Sequence, residues 1–452
     1  MTKKKLKVLA TSMMFALLWA GEARSQQIWT LQQCVEFAVN NSYSVHNAEL
    51  DVRETAAKTK ETRAALLPQA DASAALTDNL AIPVVMLPGE IIGQPGEIIP
   101  AELGVPWEAN VSVQLSQVIF NPALFTGIKV ARNAEELSRL KSQMTKEQLI
   151  YDVASVYYDI LDSEQQLKSI SGNLCLQDSL YAKTELRVKE DLTREIDLNR
   201  IKVNIADLKV KQEHLSVVME QQKRYLQLLA GMPANEDFSP DSAILTEIDF
   251  PKQGWSEESV LSEITELAVL KQQKELNILE LKTTQMKYMP TLSLVAAGAY
   301  QFQSEKLRLS DKNAWFKSSY IGLRLSIPIF DGTSKHHAAK QIKLQGMKLD
   351  NDIAHTEKSA LMERKNARSG LIVSYKSAKL QDDNLRLAEK VYAQSQRLYQ
   401  EGLYTVTDLL QTENSLREAQ ISRISEIIRL KKAELNLMKA ERRLEELKIK
   451  NN

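Results

Sequence analysis

The sequence predicts a mostly α-helical fold with a transmembrane β part, built from two equivalent halves. Three observations predict this class: an internal repeat, two long runs without proline, and short segments in which polar and apolar residues alternate. In each half a helical segment reaches a proline, at Pro68 and at Pro290, and strand-like segments follow. Each half then turns from strand to helix after an Ile-Phe pair, which ends at Phe120 or at Phe330. A repeat of this size indicates two structurally equivalent units.

Long helices make up most of the predicted fold. Residues 123–232 and 329–452 contain no proline, the strongest helix breaker, and they are rich in residues that favour helices. A helix from Pro122 to about Lys189 is roughly 100 Å long at 1.5 Å per residue. Such a length is typical of a coiled-coil arm or of a span across a compartment.

The first residues have the pattern of a secretory signal peptide. Four lysines precede an apolar core at residues 8–20, which is too short to span a membrane as a helix. The small residues Ala23 and Ser25 then precede Gln26, as at a signal-peptide cleavage site. We therefore predict that residues 1–25 form a signal peptide that is removed on export.

The remaining chain divides at a helix stop, where Gly231 and Pro233 follow the first long run. Three segments are predicted in order: a first repeat at 26–232, a connector or equatorial segment at 233–256, and a second repeat at 257–452. Both repeats are expected to contain helices and one pair of strands.

Alternating polarity predicts four strands, at about 69–80, 109–120, 291–303 and 319–330. Their polar faces carry side chains that we expect to line a lumen: Asp71, Ser73, Gln114 and Arg324. This alternation is what a transmembrane β-barrel strand requires, and it is also typical of a half-buried strand in a soluble sheet. The loop at residues 80–107 contains several prolines and glycines, and it is predicted to be an extended outer-surface loop.

Four strands are too few to close a barrel, because known single barrels begin at about eight strands. An open sheet edge is not tolerated in lipid, so several copies of the chain are expected to share one barrel. A dimer supplies eight strands and a trimer supplies twelve. The residues themselves leave this choice open.

A further feature recurs inside both helical runs. Gly402 and the β-branched residues 405–407 weaken the helix in the second run, and residues 187–198 lie at the equivalent place in the first. These segments predict the turn of an antiparallel hairpin of long helices, placed at the far end from the strands. Thr193 and Thr407 are predicted to cap the helices that follow. A simple helix irregularity is the alternative.

These features resemble the TolC-type outer-membrane efflux proteins. The resemblance covers nearly the whole chain after the signal peptide, and three features carry it: the duplicated order of elements, the corner at Pro328–Gly332, and the run from Tyr399 through Gly402 to Asp408-Leu409-Leu410. It implies a homotrimer with a twelve-stranded barrel in outer-membrane lipid, continued by a long α-helical barrel in the periplasm of a Gram-negative-type envelope. The implied function is the exit duct of a tripartite efflux or type I secretion system. The implied partners are a periplasmic adaptor and an inner-membrane pump.

The same resemblance implies a gate at the helical turns. In such proteins acidic residues ring a narrow entrance, and tyrosine, arginine and aspartate links hold it closed. By position, Asp408 matches the acidic ring, Tyr399 matches the linking tyrosine, and Asp197 matches its aspartate partner.

This sequence departs from the gate pattern at two positions. Gln411 stands where a second acidic residue is expected, and Tyr404 stands where the arginine is expected. Arg194 is the nearby residue that we expect to replace the arginine. Ordinary solvated side chains at a helix end are the alternative interpretation of all these residues.

The sequence contains no pattern typical of a catalytic, metal or cofactor site, so we predict neither an enzyme nor a bound cofactor. The five histidines lack ligand spacing with cysteines or carboxylates. Basic and acidic residues are equal in number, 58 each, which gives no argument for a nucleic-acid partner. The state of Cys34 and Cys175 is left open between a disulfide and two small packed residues.

Two other classes compete with the duct. A periplasmic adaptor or coiled-coil structural protein of an export system would share the long helices, but the Gly- and Val-rich β domains expected of an adaptor are not found. A secreted enzyme would need a site that the sequence does not predict. The exported compound and the class of pump and adaptor are not encoded in these patterns.

Overall fold

The computed structural model describes residues 27–88, 93, 96, 98–233, 238–245 and 264–449. The predicted signal peptide and most of the predicted connector lie outside the described residues. The described chain forms two compact units. Unit 1 contains the residues up to 50, 140–268 and 354 onward, and unit 2 contains residues 51–139 and 269–353.

Helices dominate the described chain. Their bounds are α1 Leu31–Asn41, α2 Tyr43–Ala64, α3 Pro122–Lys189, α4 Glu195–Ala230, α5 Thr265–Met286, α6 Ser334–Gln400, α7 Val406–Ala440 and α8 Glu446–Ile449. The two longest, α3 and α6, contain 68 and 67 residues. Among the described helices, none is both long and apolar enough to cross a membrane.

The strands are β1 Gln27–Trp29, β2 Gln69–Asp78, β3 Val84–Pro88, β4 Ile98–Glu102, β5 Trp107–Phe120, β6 Phe238–Pro240, β7 Thr291–Ser304 and β8 Trp315–Ser326. In unit 2 an antiparallel sheet has the order β2-β5-β7-β8, so that strands of the two repeats meet between β5 and β7. The outer strands β2 and β8 each have one unpaired edge within this sheet.

Two details of the strands differ from the sequence prediction. The last strand ends at Ser326 rather than near Phe330, because Pro328 has no backbone N–H to donate to a ladder. The segment predicted as an extended loop contains the short antiparallel pair β3 and β4, in which Met86 lies opposite Pro100.

Side chains of unit 2 start the long helices at both strand-to-helix corners. At the first corner Asn121 Oδ1 accepts a hydrogen bond from the Leu124 amide at 3.1 Å. At the second corner Asp331 Oδ2 accepts one from the Lys335 amide at 3.1 Å. Gly332 precedes that helix with a φ of 65°, a conformation that glycine adopts without a Cβ penalty. At both corners a side-chain oxygen thus accepts a hydrogen bond from a backbone N–H in the first turn of the long helix.

Unit 1 contains a row of helices in the order α4-α3-α7-α6. The first contact is the hydrogen bond from Gln212 to Ser171, at 3.0 Å between α4 and α3. Helix α3 meets α7 where Lys432 pairs with an aspartate of α3, at 2.6 Å. Helix α7 meets α6 where Arg423 pairs with Asp382 at 2.7 Å. Along these contacts α4 and α6 lie at the two ends of the row, whereas at the helix turns α4 also reaches α7.

The core of unit 1 surrounds Tyr157, whose side chain is buried. Its hydroxyl donates to the carbonyl of Trp29 and accepts from the amide of Asp241, both at 2.9 Å, and so anchors the parallel pair β1 and β6. Cys34 packs in this core, where burial raises the pKa of its thiol to about 12. Cys34 and the exposed Cys175 are both free thiols, so the disulfide alternative does not hold.

Candidate functional site

The first duplicated turn follows the end of α3 and contains two of the predicted tip residues, Thr193 and Arg194. Asp191 has a φ of 55°, and α4 begins at Glu195 with Arg194 at the N-cap. The prediction that Thr193 caps this helix is wrong, because its hydroxyl instead donates to the carbonyl of Leu192 at 2.9 Å. Arg194 makes no side-chain capping bond, so this turn lacks a side-chain cap.

The second turn, at the end of α6, is capped. Thr405 is the N-cap of α7, and it forms a capping box with Asp408. The Asp408 amide donates to Thr405 Oγ1 at 3.2 Å, and Asp408 Oδ2 accepts from the Thr405 amide at 3.1 Å. The prediction that Thr407 is the cap is therefore wrong by two residues. Thr407 is the second residue of the helix itself, and the N-cap is by definition the residue just before the helix.

Asp408 is exposed at the start of α7. The hydroxyl of Thr405, and then its amide, donate to the carboxylate and hold the pKa of Asp408 below its ordinary value. Gln411 lies three residues further along the helix and is also exposed, so that it shares a face with Asp408. This face thus has one ionised carboxylate followed by a neutral amide.

Asp197 occupies the third position of α4, as Asp408 does in α7. Its carboxylate lies 3.6 Å from the guanidinium of Arg200. Arg200 in turn donates a hydrogen bond to the hydroxyl of Thr407. The chain Asp197–Arg200–Thr407 therefore connects the beginnings of the two helices that follow the duplicated turns.

Tyr399 lies at the end of α6 and is half-buried. The Arg187 guanidinium stacks over its ring at 5.8 Å, which connects the end of α3 to the end of α6. Its ring also packs against the apolar cluster of Ile201, Val406 and Leu410. Within the described tip, no hydrogen bond joins Tyr399 to Asp197, so the link between them remains a prediction.

Two arginines that the sequence analysis did not name make contacts between the helices at the tip. Arg194 is exposed, and no described carboxylate pairs with it. Arg187 and Arg200 make the contacts between the helices instead, and the sequence analysis missed both. The spacing of Arg200, three residues after Asp197, is a signal that could have indicated an ion pair on one helix face.

A buried polar pair lies between α3 and α7, close to the second turn. The Gln177 amide donates to the Glu413 carboxylate, and the two residues are 0% and 4% exposed. Burial raises the pKa of Glu413, although the bond from Gln177 opposes this shift. The other amide atom of Gln177, its Oε1, has no partner in the described part of the chain. This helix seam is therefore polar rather than purely apolar.

In the sheet of unit 2, the predicted lumen residues of the first repeat share one face. Asp71 lies directly opposite Gln114 in the ladder of β2 and β5. Ser73 lies opposite Ser112, and their hydroxyls are 2.9 Å apart. Cross-strand neighbours point to the same face of a sheet, so these polar side chains form one patch.

The register brings the second repeat onto the same face. Arg324 of β8 lies opposite Ser293, and Ser293 lies opposite Val118 of β5. Val118 is four residues from Gln114 along one strand, and such a spacing keeps both on one face. All four predicted lumen residues therefore lie on a single face of the sheet.

The other face of this sheet is apolar and exposed in the single chain. Val113 is 55% exposed, Ile321 is 74% exposed and Leu323 is 66% exposed, although all three are strongly apolar. A contiguous apolar face of this kind indicates contact with a membrane or with another protein. In the described residues, no group of histidine, cysteine or carboxylate side chains has the arrangement of a metal site.

The fold of this chain matches those of solved outer-membrane proteins. The chain matches the Campylobacter jejuni CmeC outer membrane channel with a TM-score of 0.73 and 15% identity, over 91% of this chain and 85% of that one. It matches the outer membrane protein VceC of Vibrio cholerae with a TM-score of 0.70 and 16% identity, over 91% and 95% of the two chains. It matches the open state of the Neisseria gonorrhoeae MtrE outer membrane channel with a TM-score of 0.68 and 18% identity, over 91% and 88%. The protein thus has the fold of these channels.

Residues 264–441 match the sequence profile of a family described as outer membrane efflux protein. No curated protein matches the chain in sequence. The profile covers most of the second repeat, and the structural matches extend over both repeats. The predicted resemblance to the TolC-type outer-membrane efflux proteins is confirmed. The matching family is thus described by efflux at the outer membrane, and the matched CmeC and MtrE structures are outer membrane channels.

Proposed function

We propose that this protein is the outer-membrane exit duct of a tripartite efflux or type I secretion system. The observation that carries this proposal is the sheet of unit 2, which has one polar face, one exposed apolar face and two unpaired edges. A polar interior and an apolar exterior are the properties of a transmembrane barrel wall. The duct is passive, and its position is the outer membrane with an extension into the periplasm.

The sheet supports a barrel that is shared by three copies. An unpaired strand edge in lipid costs several kcal/mol for each unsatisfied backbone group, so the edges of β2 and β8 must be paired. Pairing β2 of one copy with β8 of the next closes twelve strands in a homotrimer. Along β7 the apolar row from Leu292 to Phe302 rises about 34 Å, which a tilt of about 45° reduces to about 24 Å. This height fits the apolar band of an outer-membrane barrel, about 25 Å.

The helices of unit 1 support the same assembly. The outer helix α4 exposes apolar residues at intervals of seven: Ile196, Val203, Val210 and Val217. The opposite outer helix, α6, does so at Val373, Leu380 and Leu387. A seven-residue apolar repeat is the pattern of a coiled-coil seam, and no helix of the described residues covers either seam. We infer that α4 of one copy packs against α6 of the next.

The duct has little chemical selectivity of its own, because Asp71, Ser73, Gln114 and Arg324 give its lumen a mixed polar surface. An inner-membrane pump supplies the energy for export, and a periplasmic adaptor joins the pump to the helical turns. We propose that Asp408 and Gln411 line the constriction at these turns. Tyr399, Asp197 and Arg194 belong to the surrounding gate.

The domain division follows from this function. Residues 1–25 direct export and are removed, and residues 26–232 and 257–452 each supply one strand pair and one long helix pair. Residues 233–256 connect the repeats as an equatorial segment.

Membrane fractionation of a Gram-negative host tests the proposal. We expect the protein in the outer-membrane fraction, and we expect deletion of its gene in the native host to sensitise cells to exported toxic compounds or to block secretion. A protein found only in the soluble or inner-membrane fraction would contradict the duct and favour an adaptor. Unchanged sensitivity to every compound, together with unchanged secretion, would remove the export role.

A further inference from the structure

We propose that the loop end of the sheet binds the phosphate headgroups of anionic lipids in the outer leaflet. This inference rests on the proposed function, which places the apolar face of the sheet in a membrane. The site combines an aromatic rim, consisting of Trp107, Tyr300, Phe302 and Trp315, with a set of cations that form no ion pair with the described carboxylates.

The strand register places the whole rim on the apolar face. Phe302 lies opposite Ala109 on one side and Trp315 on the other. Tyr300 lies opposite Val111 and Lys317, one row nearer to the middle of the sheet. The rim is therefore the upper boundary of the apolar face. Aromatic rings concentrate at this boundary in membrane proteins, because they have an apolar body and a polar edge.

The rim is fixed by its own packing. Phe302 is fully buried, and its ring centroid lies 5.4 Å from that of Trp315. The Tyr300 and Trp315 centroids are 6.4 Å apart. The indole N–H of Trp315 donates to the carbonyl of Leu309 at 2.9 Å, which ties the loop to the strand. The loop therefore has a defined position beside the rings.

Lys317 locates the membrane boundary on this face. Its ammonium lies 5.2 Å from the ring centroid of Tyr300, and the residue is exposed. The rows below it contain residues such as Ile321 and Leu323, which are apolar and exposed. A lysine facing lipid costs about 2–4 kcal/mol at the midplane but only about 0–1 near the interface. The row of Lys317 is thus at headgroup level.

The adjoining loop adds three more cations, Lys306, Arg308 and Lys312. No described carboxylate forms an ion pair with any of these three or with Lys317. The carboxylate of Asp311, the nearest acid to Lys312, is used as a helix cap and accepts from the Asn313 amide at 3.0 Å. Lys317 lies at headgroup level without a carboxylate partner, which makes it complementary to a lipid phosphate, and the loop cations add positive charge to the adjoining segment.

Lipid retention by the full protein tests this proposal. The protein is inserted into vesicles of phosphatidylcholine with a minor fraction of phosphatidic acid, re-extracted, and analysed by mass spectrometry for the lipids that remain bound. We expect enrichment of phosphatidic acid, and we expect Lys317→Gln to lower it about fivefold, the equivalent of about 1 kcal/mol for one cation near an anionic surface. The matched control is Lys343→Gln, an exposed lysine of α6 in the same unit, which should leave the enrichment unchanged.

The outcomes separate this inference from the proposed function. A wild-type protein that does not float with the vesicles would contradict the membrane duct itself. Normal flotation without enrichment, or equal enrichment in wild type and Lys317→Gln, would overturn only the lipid assignment. A last experiment offers inorganic phosphate to the detergent-solubilised protein. If phosphate binds in the absence of lipid and Lys317→Gln abolishes this binding, the site is an ion site rather than a lipid site.

Discussion

Arg200 donates a hydrogen bond to Thr407 and so connects the first turn of α4 with the first turn of α7. Because Arg200 also pairs with Asp197, one side chain joins the two duplicated turns of the chain. In the proposed duct these turns form the periplasmic entrance. The contact therefore places an interhelical bond where the constriction would have to widen.

Replacing Arg200 tests whether this bond holds the entrance closed. Arg200→Gln should weaken the closed state by about 1 kcal/mol, because the pair is partly exposed and screened. Planar-bilayer recordings should then show a higher conductance or a roughly fivefold larger open fraction. Lys209→Gln is the matched control, since Lys209 is an exposed cation of the same helix that lies outside the proposed gate. Equal effects of the two substitutions would contradict a specific role for Arg200.

The contact between Tyr399 and Arg187 uses the tyrosine ring, whereas the predicted link to Asp197 uses its hydroxyl. Tyr399→Phe keeps the ring, so it should change the conductance little if the stacking holds the closed state. Tyr399→Leu removes the cation–π contact and should weaken the closed state by about 0.5–1 kcal/mol. A larger change in Tyr399→Phe than in Arg187→Gln would instead favour the hydroxyl link to Asp197.

Asp408 should control ion selectivity over a wide range of pH. Its lowered pKa keeps the carboxylate ionised above the ordinary aspartate value of about 3.9, and the charge is lost only as the pH falls through its lowered pKa. Reversal potentials should therefore show cation preference throughout mildly acidic conditions, and Asp408→Asn should reduce it. Thr405→Val removes the donating hydroxyl and should move the loss of selectivity to higher pH. Unaltered cation preference in Asp408→Asn would place this residue outside the constriction.

Glu413 should make the tip less stable as the pH rises. Burial raises its pKa in the folded chain, so the folded state binds the proton more tightly than the unfolded state. The protonated carboxyl of Glu413 therefore contributes stability below its pKa in the unfolded chain. This contribution is lost as the pH rises through its pKa in the folded chain. Glu413→Gln should remove this dependence and stabilise the protein by about 1 kcal/mol at neutral pH. Thermal unfolding at several pH values measures this pH dependence. A variant that loses more stability than the wild type as the pH rises would contradict the role of Glu413.

The helix seams predict a contact between copies. In a background with Cys34→Ala and Cys175→Ser, cysteines at Val210 and Leu387 should form a disulfide between subunits, since both residues belong to the exposed apolar seams of the outer helices. Gel electrophoresis without reductant should then show covalent oligomers. Cysteines at Lys209 and Leu387 provide the control. Equal cross-linking of both pairs would indicate random collision rather than a packed seam.

The sequence allowed much of the sheet to be predicted, because polar and apolar residues alternate in a strict period of two. This period places Asp71, Ser73, Gln114 and Arg324 on the polar faces of their strands. The pairing of the strands then brings these polar faces onto one face of the sheet. It does not reveal that β5 pairs with β7, since that pairing depends on how the two repeats meet. The strand end at Ser326 was also missed, because the apolar alternation continues to Ile329 although Pro328 stops the ladder.

The tip was harder to predict. The helix breaks near Gly402 follow from local propensity, but choosing between Thr405 and Thr407 as the cap depends on where the first helical residue falls. The contacts of Arg187 with Tyr399 and of Arg200 with Thr407 join residues that are far apart in sequence. Charged residues are common on long helices, so their pattern alone does not distinguish these arginines from solvated ones.

The number of chains in the closed assembly tests the central claim most directly. Native mass spectrometry of the protein extracted from outer membranes gives this number without assuming a substrate or partner. The account predicts three copies, which supply twelve strands and pair every edge of β2 with an edge of β8. A stable monomer inserted in lipid, or a dimer with eight strands, would contradict it.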